Sequence, residues 1–407
     1  MTRPPAHARF DADFHLLRPH EGTTPVVAWI KRTWAITPRG LERDAPVPLA
    51  HPMHRDGRLT PGSDYWPFKP ETDVVVLGSA HTPEHRPLRA LDVSIEVGDR
   101  VKRVRAMGLR QVSWRDGETP RFPDPDTFVE IPLSYGNAYG GVDARVTAPS
   151  RASTVIPGSP LTDHPGMYPR NPFGRGYVVS PEGAECVDLP FLEDPSDLLT
   201  PERFITRDPA RWHLQPSPAG LGWIHPWMFP RGLFFDVSAD AWFPAPDDAS
   251  LREVREGVLP VGYRESLKRH QRDRGPHHTL AQESSLGLRF AELPAETPVT
   301  LRGVHPTLPA LRFGVPAAPA VAWRFDGAVT EARPRRHHLV VDADALRVSE
   351  TFAVEAKFPR GVIPGIHGSI PLALRVDDDW CDYAAPTTVA AALRGAGLDP
   401  LRFLRAQ

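Results

Sequence analysis

The residues able to do chemistry are plentiful but scattered. Seventeen histidines include two adjacent pairs, His277-His278 and His337-His338, and the spaced pair His51 and His54 in "HPMH". Neighbouring side chains of a strand point to opposite faces, so an adjacent pair is poorly placed to share an ion. The spacings His-Glu-x-x-His and Cys-x-x-Cys do not occur. "DDDWCD", Asp377 to Asp382, is acidic enough for a cation but lacks the glycine and terminal glutamate of a calcium loop, and reads as a solvated turn. Cys186 has His164 upstream but no nucleophile signature around it, and reads as a small buried thiol. The Gly-x-Ser-x-Gly elbow is absent. Acid pairs such as Glu130 and Asp143 exist, but hydrolysis needs two acids at a set separation across a bond, which sequence does not fix. The expectation is a chain with no catalytic residue, no cofactor and no metal.

The stretch "YPRNPFGRGY", Tyr168 to Tyr177, raises two further chemistries. Its glycines fit neither phosphate-binding spacing, and no amphipathic helix follows to offer an anion its N-terminus. Arg170 and Arg175 beside aromatic rings resemble a nucleic-acid stacking patch. However, 48 basic side chains against 50 acidic ones leave a formal charge of −2, without the basic excess of a nucleic-acid binder. The stretch therefore reads as a device for shape. Gly174 and Gly176 permit backbone angles denied to other residues, Pro169 and Pro172 fix the chain, and Tyr168 and Tyr177 supply area to bury.

The elements that position these residues read as strands. Proline makes up 48 of 407 residues, about twelve per cent against a usual five or so, yet the hydrophobic fraction is 41%. That combination favours many short strands joined by rigid turns. "TPVVAWIKRTWAIT" and "DVVVL" read as strands, and "LDVSIEVGDRVKRVRAMG" reads as a hairpin turning at Gly98-Asp99. Further strands follow in "ETPVTLRGVHP", "LPALRFGVP", "AVAWRFDG" and the hairpin-like "HHLVVDADALRVSETFAVEAKFP". From about 148 to 245, prolines recur without periodicity and tryptophans concentrate. This region reads as a layer of rigid turns clamped over the sheet. The charged stretch 249–275 reads as a surface excursion with short helices. The expected fold is mainly β, an antiparallel sandwich-like arrangement with a long Pro/Gly/aromatic-rich loop layer and few short helices. It occupies one domain, 20–358, and 359–407 form a C-terminal extension with a short helix over 388–394. No leader and no apolar stretch of membrane-spanning length is present, so a cytoplasmic location is expected.

Five segments, "YWPFKPETDVVVLGSAHTP", "IPLSYGNAYGGVD", "YPRNPFGRGY", "LPFLEDP" and "PAGLGWIHPWMFPRG", occur in an order that resembles the bacterial family known as domain of unknown function 2169. The resemblance departs at "SYGNAYGG", where Gly136 and Asn137 replace an expected charged pair. It implies a non-enzymatic adaptor or chaperone that binds a type VI secretion effector or a spike-tip component, PAAR or VgrG, before export. Nucleic acid and membrane are not expected partners. The alternatives are a carbohydrate- or peptide-active hydrolase using a carboxylate pair, or a structural part of the secreted particle. Aromatic and arginine anchors dominate interfaces, which makes Trp223, Trp227, Phe229 and Arg231 of "GLGWIHPWMFPRG", with Arg170 and Arg175, the candidate contacts.

Overall fold

The structure, a computed structural model, describes residues 9–16, 23–50, 62–66, 69, 71–115, 119–146, 166–168, 170–180, 182, 186–207, 214–225, 228, 282–285, 287–325, 327–359 and 372–383. Trp227, Phe229, Arg231, Pro169, His51, His54, His277, His278, the charged stretch 249–275 and the expected helix 388–394 lie outside the described residues.

Strands dominate. In chain order they begin with β1 (Asp11–Leu16), β2 (Thr23–Thr37), β3 (Gly40–Arg43), β4 (Thr72–Leu77), β5 (Ser79–His81), β6 (Ala90–Val97) and β7 (Arg100–Met107). Short strands follow: β8 (Gln111–Val112), β9 (Glu130–Pro132), β10 (Tyr139–Gly140), β11 (Arg175–Gly176), β12 (Val187–Asp188) and β13 (Leu192–Glu193). A single described turn of α-helix, α1, spans Pro201–Phe204. Then come β14 (Arg289–Phe290), β15 (Pro298–Arg302), β16 (Leu311–Gly314), β17 (Val321–Phe325) and β18 (Ala328–Ala332). The last are β19 (Arg335–Asp342), β20 (Arg347–Pro359), β21 (Leu372–Val376) and β22 (Asp379–Tyr383).

Three sheets carry the fold. A seven-stranded sheet runs β1-β2-β20-β19-β4-β14, with β3 paired to β2. Its pairings are antiparallel except β19 with β4. A five-stranded sheet runs β13-β7-β6-β15-β16, and a four-stranded one β18-β17-β21-β22. Val74, Val76, Leu339 and Val341 of the large sheet share a core with Val93, Ile95, Val104 and Leu301 of the five-stranded sheet. Val26, Ala28, Ile30 and Val354 share another with Val321, Trp323, Leu372 and Leu374 of the four-stranded sheet. The odd-numbered side chains of β2 face the other way, where Val27 and Trp29 pack with Leu49 and Tyr65. Period-two alternation thus puts each face of β2 against a different layer. The fold is mainly β and sandwich-like, with few helices among the described residues, as the composition implied; much of the expected loop layer over 148–245 lies outside them.

Three expectations need correction. Residues 372–383 are a strand hairpin: β21 pairs with β17 and turns back into β22, so this part of the expected extension completes the four-stranded sheet. The physical reason is visible in "LALRVDDDWCDY", where alternating apolar residues flank a tight turn and Asp377 takes a left-handed φ of 55°. The Asp377 carboxylate is also not merely solvated; it lies 3.6 Å from Arg32 Nη1 and 3.4 Å from Arg43 Nη2. Cys186 is exposed, whereas Cys381 of β22 is the buried thiol. Among the described residues, no helix is long and apolar enough to cross a membrane.

Candidate functional site

The sheet register assembles a line of polar residues. Lys31 of β2 lies opposite Thr351 of β20, Thr351 opposite His338 of β19, and His338 opposite Asp73 of β4. Cross-strand partners share a face, so four strands present one polar row. A bulge between Arg336 and His338 sets this register and leaves His337 as the extra residue.

Loop residues 62–66, 69 and 282–285 cover the row and answer its charges. Asp64 lies 2.7 Å from Lys31 Nζ and accepts hydrogen bonds from Thr351 Oγ1 at 2.5 Å and the Ala50 N–H at 2.7 Å. Lys69 Nζ sits 2.5 Å from Asp73 Oδ2 and 3.1 Å from Glu283 Oε2, and it touches His338 Nε2. His338 Nε2 is itself 2.9 Å from Glu283 Oε2. Asp73 further accepts from the Glu283 N–H and Ser284 Oγ, both at 2.7 Å, and Glu283 accepts from the Ser63 N–H at 3.0 Å. Lys69, Asp73, Glu283, His338 and Thr351 are all fully buried.

Electrostatics follows from burial and pairing. Burial alone pushes the Asp64 carboxyl up, but the Lys31 charge, aided by His338, outweighs it and holds the group well below the usual carboxylate range. Asp73 is also lowered: burial opposes the shift, while Lys69, Arg289 and His338 drive it. His337, buried beside Lys69 and His338, is held well below the usual imidazole range, first by desolvation. On the opposite face, Arg32 and Arg336 bracket Glu350 at 3.1 and 2.8 Å, and there burial wins and Glu350 is raised.

Asp73, Glu283 and His338 have the donors and spacing of a metal centre, with ligand atoms within 4.8 Å of one another. The Lys69 ammonium already occupies the cation's place between them. The row therefore works as an ionic weld that fixes residues 62–66 and 69 and segment 282–285 to the sheet.

Trp223 belongs to this weld. Its ring meets His338 edge-on at 5.1 Å and 85°, and a Cβ on Gly62 would lie 2.7 Å from its indole. Trp223 is half-buried. Arg170 is turned inward, 7% exposed, with Nη1 3.2 Å from Ser217 Oγ. Arg175 lies over the Phe191 ring at 4.4 Å and donates from Nε to the Gly136 carbonyl. The structure thus brings Arg170, Arg175, Tyr168, Pro172, Gly174, Gly176 and Tyr177 into one loop and keeps Trp223 apart from them, over His338.

That loop is built for shape. Tyr139, Tyr168 and Tyr177 pack with ring centroids 5.0 to 6.2 Å apart, and Tyr168 Oη donates to the Pro216 carbonyl at 2.8 Å. A Cβ on Gly174 would meet the Ala138 carbonyl and Asn171 Nδ2 at 2.5 Å, and Gly176 has φ +88°. Asp143 is tied to Arg145 at 2.8 Å and accepts the Val179 N–H, while Glu130 accepts from Ser79 Oγ, so these two acids serve different partners.

Sequence reasoning missed Lys31, Asp64, Lys69, Asp73 and Glu283, and set His338 aside as half of an adjacent pair. The available signal was a charged residue inside an otherwise apolar strand, Lys31 in "VVAWIKRTW" and His338 in "HHLVVD". A family model described as an uncharacterized protein conserved in bacteria, DUF2169, matches residues 21–352. No curated protein and no solved structure matches the chain.

Proposed function

The chain belongs to the DUF2169 family, and from that premise we propose that it is a non-enzymatic adaptor, holding a type VI secretion effector or a PAAR/VgrG spike component in the cytoplasm before export. The observation that carries this reading is β18. Among the described residues it is an edge of the four-stranded sheet, its first four residues are exposed, and Val329 is 52% exposed. Its sequence, "AVTEA", holds no lysine and no proline, and its one charge, Glu331, is paired 2.6 Å from Arg375 of β21. An unblunted edge is a template for a partner's strand, with backbone hydrogen bonds giving affinity. The ionic weld adds the rigidity such a surface needs, because a pre-ordered edge loses little entropy on docking.

The hairpin geometry identifies the outward donors. Phe325 pairs with Ala328 across a two-residue connection, so that pair is of the hydrogen-bonded kind. Alternation then turns the N–H groups of Val329 and Glu331 away from β17. Val329→Pro removes one outward donor while leaving the β17 ladder intact. Co-purification with the products of flanking secretion genes should yield a stable complex with the wild-type chain and none with this variant. Failure of the wild-type chain to retain any such product would overturn the reading.

A further inference from the structure

A second triad with the same donor set stands at the surface. β5 pairs with β9 so that His81 lies directly opposite Glu130, and Ser79, two residues before His81, shares that face. Ala80 and Ile131 between them point into the core. Asp344 arrives from the turn joining β19 to β20, where the Ala343 N–H bonds to the Leu77 carbonyl at 2.9 Å. The close approach depends on Gly78, which has φ +117°: a Cβ there would lie 2.9 Å from Asp344 Oδ1.

The groups are already aimed at one another. His81 Nε2 is 3.1 Å from Asp344 Oδ1, Ser79 Oγ donates to Glu130 Oε1 at 2.9 Å, and the Ser79 N–H donates to Asp344 Oδ1 at 3.2 Å. Ligand atoms of His81, Glu130 and Asp344 lie within 4.8 Å of one another. The contrast with the buried triad decides what this one can do. There, the Lys69 ammonium sits between the carboxylates and the imidazole. Here, among the described residues, neither Glu130 nor Asp344 has a lysine or arginine ion pair; the ring in reach of Asp344 is that of His81 itself. Two anions therefore converge on an imidazole at a solvent-open position without a resident cation. His305 stands near His81 but is not a ligand. Its Nδ1 accepts the N–H groups of Thr307 and Leu308 at 3.2 and 3.1 Å, which places the neutral ring's proton on Nε2.

We propose that His81, Glu130 and Asp344 form a binding site for one divalent transition cation of the zinc type. One imidazole and two carboxylates suit such an ion, with metal–ligand distances of about 2.0–2.2 Å. Glu130 and Asp344 are both exposed, which leaves their side chains room to rotate toward that geometry. Three protein ligands leave further coordination positions to water or to a group brought by a bound molecule. The hydrogen bonds from Ser79 orient both carboxylates from outside the coordination sphere.

The test is calorimetric titration of the purified full-length chain with Zn2+ alone, beside Asp344→Asn and Glu130→Gln. Both substituted residues are exposed, and unchanged melting curves would confirm that the variants fold. One saturable Zn2+ site in the wild-type chain, weakened at least tenfold in each variant, is the expected result. The absence of a saturable site, or wild-type affinity in either variant, would overturn the assignment. The second outcome would place the ion on other histidines.

Discussion

Replacing Lys69 by methionine tests the ionic weld where it is most exposed to failure. Methionine keeps the aliphatic length and removes the charge that stands 2.5 Å from Asp73 and 3.1 Å from Glu283, both fully buried. Breaking a buried pair by deleting one partner costs about 3–5 kcal/mol, because the survivor is left uncompensated. An escape route sets a ceiling on that cost. A carboxyl with an ordinary pKa near 4 can take up a proton at pH 7 for about 4 kcal/mol, at about 1.4 kcal/mol per pH unit. The variant should therefore lose about 3–4 kcal/mol at pH 7. If one extra proton is bound in its native state, the deficit should shrink by about 3 kcal/mol on going to pH 5. Urea unfolding followed by tryptophan fluorescence at both pH values measures this. A cavity alone gives a deficit independent of pH. A loss below about 1 kcal/mol, or one that does not shrink in acid, would refute the claim that Lys69 neutralises two buried carboxylates.

Two further outcomes follow from the geometry. Burial raises Tyr135 to about 12 and also lifts Tyr139 and Tyr168. An unfolded tyrosine ionises near 10, so the unfolded chain holds fewer protons than the native one above that pH, and stability should fall from about pH 10 upward. An ultraviolet phenolate titration should show these rings ionising late and together with unfolding; early ionisation in a folded chain would contradict their burial. Gly174→Ala places a methyl group 2.5 Å from the Ala138 carbonyl and should cost at least about 1–3 kcal/mol in a urea melt, the usual penalty of overpacking. A neutral result would show that the loop is softer than its packing implies.

What could be read from the sequence was local. "LDVSIEVGDRVKRVRAM" alternates, turns at Gly98 with φ +59°, and alternates again, and it folds as β6 and β7. The loop glycines and tyrosines were legible for the same reason, since tight turns and bulky rings announce themselves in ten residues. The polar row was not. Lys31, Asp73, His338 and Thr351 come from four separate strands, and only the register between those strands puts them in line. Asp64, Lys69 and Glu283 lie in loops with no period at all. The surface triad failed for a similar reason: His81 and Glu130 meet through β5–β9 pairing, and Asp344 reaches them because Gly78 lacks a side chain. Residues 372–383 were misplaced because "VDDDW" drew attention as an acidic cluster, when alternation around it was the hairpin signal.

The most direct measurement is the affinity of the purified chain for the protein products of its flanking genes, taken with the wild-type chain and with Val329→Pro. The account predicts a saturable complex that the proline variant loses while its melting temperature stays the same. Equal binding by both chains would remove β18 as the docking edge, and no binding by either would contradict the adaptor itself.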